Sequence, residues 1–225
     1  MVGFLVNTGS VLIGSSAGLL TGTKLKEKYK SIILTSLGLI TIIIGVRMAI
    51  KTENILIVVV SLVIGGIFGQ LLEIEEKLEK IAEYFKKRVG SSRQDFVLGF
   101  ITASLLFCVG PMTIVGSFED GLYNRGELIY IKSLMDGFAS VALSAALGAG
   151  VIFSALVVLI YQGALTLMAR YFQAALSDAV VTEMSAAGGV MVIGIAINLL
   201  GLSKIKVGNL LLALPLAAVI TWIFE

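Results

Sequence analysis

Few residues inside the apolar stretches of this chain can hold or move a charge, and they cluster. Lys132, Asp136, Ser140 and Ser144 follow one another at intervals of four, so all four fall on one face of a helix. The stretch around them, 128–148, is otherwise mostly apolar. A charge at the centre of a bilayer costs about 2.5–3.5 kcal/mol on insertion scales, so this face has to look into protein or water rather than lipid. Two readings stay open: an i,i+4 pair that neutralises itself, or a substrate or proton pathway with Asp136 as the titratable group.

A second signal lies just upstream, in CVGPMTIVGS at 108–117. Pro111 removes a backbone donor, and Gly110 and Gly116 loosen the helix on either side. Backbone freed at membrane depth survives only where protein buries it or where it lines a polar cavity, and the helix ends so created attract ions. The alternative is a simple proline kink, which is also the reading for Pro215. Asn7, Thr8, Gln162 beside Tyr161, Glu183, Asn198 and Asn209 are lesser candidates. Glu183 opens a span in the sequence T-E-M-S, where the helix dipole favours a carboxylate, so capping and binding are both open. Amides inside spans often join helices to one another.

Other chemistries drop out. With no His and one cysteine, Cys108, neither a disulfide framework nor a common zinc site is available, and nucleophile–base pairs are lacking. The chain is therefore expected to be no enzyme and to need no cofactor or metal. A net charge of +2 argues against a nucleic-acid partner.

The elements that position these residues follow from composition. Of 225 residues, 57% are hydrophobic and 14% charged, where soluble domains carry about a quarter charged. The apolar residues come in blocks of about 20, the length that crosses a hydrocarbon core of roughly 30 Å. The expected fold is an all-α polytopic membrane protein with eight spans: 3–22, 31–50, 54–73, 95–116, 128–148, 150–169, 182–201 and 208–224. The first begins close to Met1 with lysines behind it and reads as an uncleaved helix rather than a secretory signal.

Basic residues mark the cytoplasmic loops. With both termini outside the plasma membrane, inner loops hold Lys24, Lys26, Lys28, Lys30, Lys77, Lys80, Lys86, Lys87, Arg88, Arg93, Lys204 and Lys206, and outer loops only Lys51, Arg125 and Arg170. Arg47 and Lys132 lie near the outer ends of spans, within snorkelling reach of the interface. A re-entrant 95–116 would reverse this parity. Ile74, Leu78, Ile81 and Phe85 give the polar segment 74–94 one apolar stripe, predicting an amphipathic helix at the cytoplasmic surface, either a connector or a partner-docking element.

Ser36–Ile50 (SLGLITIIIGVRMAI) resembles Ser185–Leu199 (SAAGGVMVIGIAINL), and each is followed by an Asn-apolar-Leu start, Asn54-Ile55-Leu56 and Asn209-Leu210-Leu211. These spans run in opposite directions, so 1–73 and 150–225 read as inverted repeats, spans 1–3 against 6–8, with 74–94 as connector and 95–148 as a central unit. Inverted halves give secondary transporters two near-equivalent states open to opposite sides. Chance likeness between Ile/Leu/Gly-rich helices is the alternative. Ser10, Gly14, Gly18 and Gly22 in span 1, and Ser61, Gly65 and Gly69 in span 3, predict close helix packing.

The stretches FVLGFITASLLFCVGPMTIVGSFEDGL (96–122), KSLMDGFASVALSAALGAGVIFSALVVLIYQGALTLMA (132–169) and EMSAAGGVMVIGIAINLLGLSKIKVGNLLLALPLA (183–217), with LVNTGSVLIGSSAGLL near the start, resemble the bacterial integral-membrane family catalogued as domain of unknown function 554. The resemblance covers essentially the whole chain and implies little about activity. Its recurring motifs correspond to Cys108, Gly110, Pro111, Met112, Gly116, Asp120, Gly121, Lys132, Asp136 and Gly137. Further on they correspond to Tyr161, Gln162, Gly163, Glu183, Asn198, Gly208 and Asn209. Where the family pattern often has proline soon after Asn-Leu-Leu, this chain has Leu212-Ala213 and its proline at Pro215.

The function expected is a small secondary transporter, an ion- or proton-coupled carrier of a small solute, built around Gly110-Pro111 and the Asp136 face. The alternatives are a non-transporting scaffold that docks a protein on 74–94, or a small channel. Partners are the lipid bilayer, the solute or ion, and, as an open alternative, a second copy in a homodimer.

Overall fold

The structure, a computed structural model, describes residues 1–22, 26–91, 95–172 and 177–224. Lys24 and Arg93, part of the charge count above, lie outside the described residues. Among the described residues ten α-helices follow in order: α1 (Gly3–Gly22), α2 (Glu27–Ala49), α3 (Ile55–Leu71), α4 (Ile74–Arg88), α5 (Asp95–Cys108), α6 (Pro111–Tyr123), α7 (Glu127–Leu147), α8 (Gly150–Phe172), α9 (Asp178–Leu199) and α10 (Ala213–Phe224). Six stretches are long and apolar enough to cross a membrane unaided, and two bent pairs, α3–α4 and α5–α6, bring the number to as many as eight.

Small residues decide who packs on whom. A Cβ on Gly14 would run into Gly137 and Ser140, one on Gly18 into the Val141 carbonyl, and one on Gly22 into Ala145. Both numberings rise together, so α1 and α7 lie parallel with backbones nearly touching, as small-residue stripes permit in lipid. A Cβ on Gly45 would stand 2.7 Å from the Gly189 carbonyl, and one on Gly38 would stand 2.7 Å from Leu200. Here the numberings run opposite ways, so α2 and α9, the two matching segments, pack antiparallel. Gly65 against Ala213 and Gly69 against Asn209 pair α3 with α10 in the same antiparallel sense.

Helix ends depart from the apolar blocks because caps, not hydropathy, set them. Ser177 accepts from Val180 N–H at 3.3 Å and Asp178 sits in the first turn, so α9 starts before the expected 182. Asn54 caps α3 through Leu56 N–H at 3.2 Å. The last span begins as a 3-10 turn, Val207–Leu210, and becomes α10 only at Ala213. Pro215 therefore falls in the first turn of α10, where a missing N–H is one of the unpaired ones anyway, and not at the expected kink.

The bend at Gly110-Pro111 is 58°. Gly110 stands at φ +153°, ψ +153°, a region that L side chains rarely adopt, and Pro111 starts α6 at the position that suits proline. The path of the two halves decides whether they cross. Gly99 packs against Leu147 and Gly150 against Phe96, so α5 starts beside the C-terminal end of α7. Asp120 of α6 accepts from Gly3 N–H at 2.9 Å, and Gly3 packs against Ile129 in the first turns of α7. The broken pair thus runs the length of α7 and counts as one crossing, not a re-entrant hairpin. The parallel pairing of α1 with α7 needs an odd number of crossings between them, and α2, α3 and α5–α6 supply three.

α4 lies across the end of this bundle. Ala82 is fully buried, and the Phe85 ring stacks on Phe153 at 4.7 Å and meets Phe100 at 6.3 Å. Large apolar side chains cover the outside, Ile13, Ile43 and Phe138 being 61–74% exposed. α7 is amphipathic in the sense opposite to a soluble helix: Leu134, Met135 and Phe138 face outward while Lys132, Asp136, Ser140 and Ser144 are buried.

Candidate functional site

The polar face of α7 meets the break in α5–α6. Lys132 Nζ donates to the Phe107 carbonyl at 2.8 Å, one of the acceptors that the break leaves without a helical N–H, and Thr113 Oγ1 donates to the same oxygen at 3.1 Å. Lys132 also forms an ion pair with Asp136. Asp136 accepts in turn from Asn7 Nδ2 at 2.9 Å, and Asn7 Nδ2 also reaches Gln162 Oε1 at 3.0 Å. Four side chains from α1, α7 and α8 thus form one chain of contacts ending on the broken helix. Asn7 and Gln162 are fully buried, and Lys132 and Asp136 are 6% and 8% exposed.

The cluster carries unused hydrogen-bonding capacity. Asn7 Oδ1 and Gln162 Nε2 are buried without a partner among the described residues, although buried amides are nearly always satisfied. Each such orphan costs about 1–3 kcal/mol. A donor and an acceptor held free next to a carboxylate and an ammonium suit a polar guest: a water, a proton carrier or one polar group of a solute. Gly163 allows this meeting, since a Cβ there would stand 3.3 Å from the Phe4 ring of α1.

Of the residues expected at the site, Gly110, Pro111, Lys132, Asp136 and Gln162 come together here. Asp120, Glu183, Asn198 and Asn209 are held elsewhere. Asp120 takes Gly3 N–H and faces the chain's amino group at 3.3 Å, fastening α6 to the start of α1. Glu183 accepts from Thr52 Oγ1 at 2.6 Å, Glu53 N–H at 2.8 Å and Asn54 N–H at 3.0 Å, so α9 holds the α2–α3 loop. Asn198 closes its own loop, exchanging hydrogen bonds with Ile205 at 2.7 and 2.8 Å. Asn209 accepts from Glu75 N–H at 2.7 Å and donates to Gln70 at 2.9 Å. Thr8 back-bonds to its own helix at Phe4.

Glu75 is the residue that the amphipathic pattern misplaced. It reads as part of the polar side of α4, yet it is 7% exposed and accepts from Gly208 N–H at 2.6 Å. Burial pushes its carboxyl above the ordinary range, against the Gly208 hydrogen bond, which favours the charged form. No local spacing announces this, because the partner lies 133 residues away. Asn7 is the more legible case, a primary amide inside an apolar helix. Asp120, Glu183 and Glu75 do one job: each takes backbone N–H groups at the start of another element in a distant part of the chain.

Two cavities flank α5. One, of about 570 Å³, is a crevice with almost wholly apolar walls, including Leu105, Cys108, Ile114 and Leu165, and it opens to the outside of the bundle beside Val219 and Trp222, which are 51% and 61% exposed. The other, of about 620 Å³, is rimmed by Glu75, Glu79, Asp95, Lys204 and Lys206 near the loop that precedes α10. No metal-binding group of three or more His, Cys, Asp or Glu occurs among the described residues.

The chain is similar over essentially its whole length to proteins from two bacteria. It is 27% identical to "Uncharacterized membrane protein YdfK" of Bacillus subtilis (strain 168), covering 100% of this chain and 97% of that protein. It is 24% identical to "Uncharacterized protein YqgA" of Escherichia coli (strain K12), covering 97% of each. No solved structure matches. Residues 2–222 match the family model described as "Protein of unknown function (DUF554)", and with every residue of the polar cluster, the break and the cavities inside that match, the chain belongs to this family.

Proposed function

We propose that this membrane protein is a secondary transporter, a carrier rather than an enzyme, coupling movement of a small solute to a proton or cation through the Asn7–Asp136–Lys132–Gln162 cluster. The observation that carries the reading is the buried Lys132–Asp136 pair on the carbonyl of a broken helix, with two amide atoms left unpaired beside it. Ionisable groups inside a bundle are expensive and mark pathways, and discontinuous helices are where carriers place their ligands. The antiparallel packing of α2 on α9 and of α3 on α10 supports two inverted halves, the construction that gives a carrier its two faces. The ion pair of Lys206 with Glu76 sets the basic loop 204–206 beside the basic end-cap helix α4, which supports a cytoplasmic location for both and outer termini.

A scaffold that docks a partner on 74–94 is less well supported. Leu78, Ala82 and Phe85 spend the apolar stripe of α4 on the bundle, leaving Ile81 and Tyr84 exposed.

The carrier reading is tested in proteoliposomes that enclose a pH-sensitive dye and are challenged with a panel of organic solutes. Wild type is expected to move protons with at least one solute, and Asp136→Asn to abolish that movement at equal reconstitution. Normal coupled flux in Asp136→Asn refutes the role of Asp136. No solute-dependent flux or counterflow across the panel refutes transport.

A further inference from the structure

The two cavities share one wall residue. Leu105 lines both the apolar cavity and the polar-rimmed one, and it is 3% exposed. It stands near the C-terminal end of α5, five residues before Gly110, where the helix breaks and where the space around the glycine is open to 4 Å. On either side of it the walls change character. Ser104 and Cys108 look into the apolar cavity, and Ile101 and Thr102 into the other, which opens among Lys204, Lys206, Glu75 and Asp95.

We infer that Leu105 is a gate between a charged vestibule and an apolar solute site, and that the solute is an organic molecule with an apolar body and one polar group. This deepens the carrier reading and rests on it. A volume of about 570 Å³ falls within the roughly 300–1,000 Å³ of small-molecule sites. Walls without charge cannot replace the hydration of an inorganic ion or a sugar, so such solutes are excluded by desolvation. An apolar body meets no such cost. Ser104 lines this wall with its hydroxyl buried away from the open space, so the cavity itself offers apolar contact and the polar group of the solute is left to the vestibule. The vestibule, with charges of both signs, receives the polar end first, and the body follows once Leu105 turns aside.

Cys108, the chain's single cysteine, lines the apolar cavity and reports on the gate without a known solute. The protein is reconstituted in lipid nanodiscs and treated with three methanethiosulfonates, one carrying an ethyl group, one a sulfonatoethyl group and one a trimethylammonioethyl group, and labelling is read by intact mass. In wild type both charged reagents should label at least tenfold more slowly than the ethyl reagent. Leu105→Ala should accelerate both charged reagents at least tenfold. Leu143→Ala, which truncates an equally buried leucine outside both cavities, should leave all rates within twofold. Unchanged charged-reagent rates in Leu105→Ala, or the same acceleration in Leu143→Ala, overturns the gate. Fast labelling of wild type by the charged reagents overturns the apolar site. These readouts need no flux, so their failure leaves transport itself standing, whereas silent proteoliposomes with a working gate remove transport and keep the gate.

Discussion

Lys132→Met tests the polar cluster most directly, because the structure says what is lost. Lys132 is 6% exposed, donates to the Phe107 carbonyl and neutralises Asp136. Methionine keeps most of the volume and removes both interactions. Breaking a buried ion pair from one side costs about 3–5 kcal/mol, because the other charge is left uncompensated. The Phe107 carbonyl keeps Thr113 Oγ1 as a donor, so its share falls at the low end of about 1–3 kcal/mol. Asp136→Asn alone should cost less, since an amide oxygen still accepts from Asn7, but it strands the ammonium. In the double variant Lys132→Met/Asp136→Asn neither charge is stranded, and destabilisation should fall below the sum of the singles by about 2–3 kcal/mol, the upper range for residues in direct contact. The measurement is reversible unfolding in mixed micelles, followed by the loss of helical circular dichroism. A coupling below about 0.5 kcal/mol, the usual scatter between independent sites, would refute an ion pair at this depth.

Three further outcomes follow from single contacts. Gly18→Val should abolish monodisperse protein on gel filtration, because its Cβ meets the Val141 backbone, while Gly9→Ala, with nothing within 4 Å, should elute as wild type. Glu183→Ala should lower stability by about 2–4 kcal/mol, since it frees a hydroxyl and two N–H groups of the α2–α3 loop, and Glu183→Gln, which keeps an acceptor, should recover at least half of that in the same unfolding assay. Glu75→Gln tests burial through pH. Because the folded carboxyl is held above its ordinary value, its ionisation destabilises the fold progressively as pH rises from about the unfolded value through the folded one, and no such loss exists below both. The glutamine variant should therefore gain on wild type as pH rises from 4 to 7, and a wild type that gains on the variant contradicts this.

Much of the membrane frame is legible in the order of the residues alone. The hydrophobic blocks locate the spans because lipid demands about 20 apolar residues whatever their neighbours are. The break at Gly110-Pro111 is legible because proline and glycine act locally. Lys132, Asp136 and Gln162 stand out because a polar side chain in a span has to face protein. Other residues stay ambiguous in the sequence because the local signal is shared by two outcomes. A carboxylate near a span end, such as Asp120 or Glu183, looks alike whether it binds a solute or fastens a distant loop, and only the position of Gly3 or of residues 52–54 separates the two.

The sequence by itself determined that the chain is a helical membrane protein, where its charges concentrate and where one helix has to break or kink, because each of these follows from a residue and its immediate neighbours. The tertiary structure decided which helices run parallel, that the broken pair is one crossing, that Glu75 is buried, and that Asn7 completes the polar cluster. Those depend on contacts between residues distant in the chain, such as Gly99 with Leu147, Asn7 with Asp136 or Glu75 with Gly208, whose energy exists only once the bundle has closed.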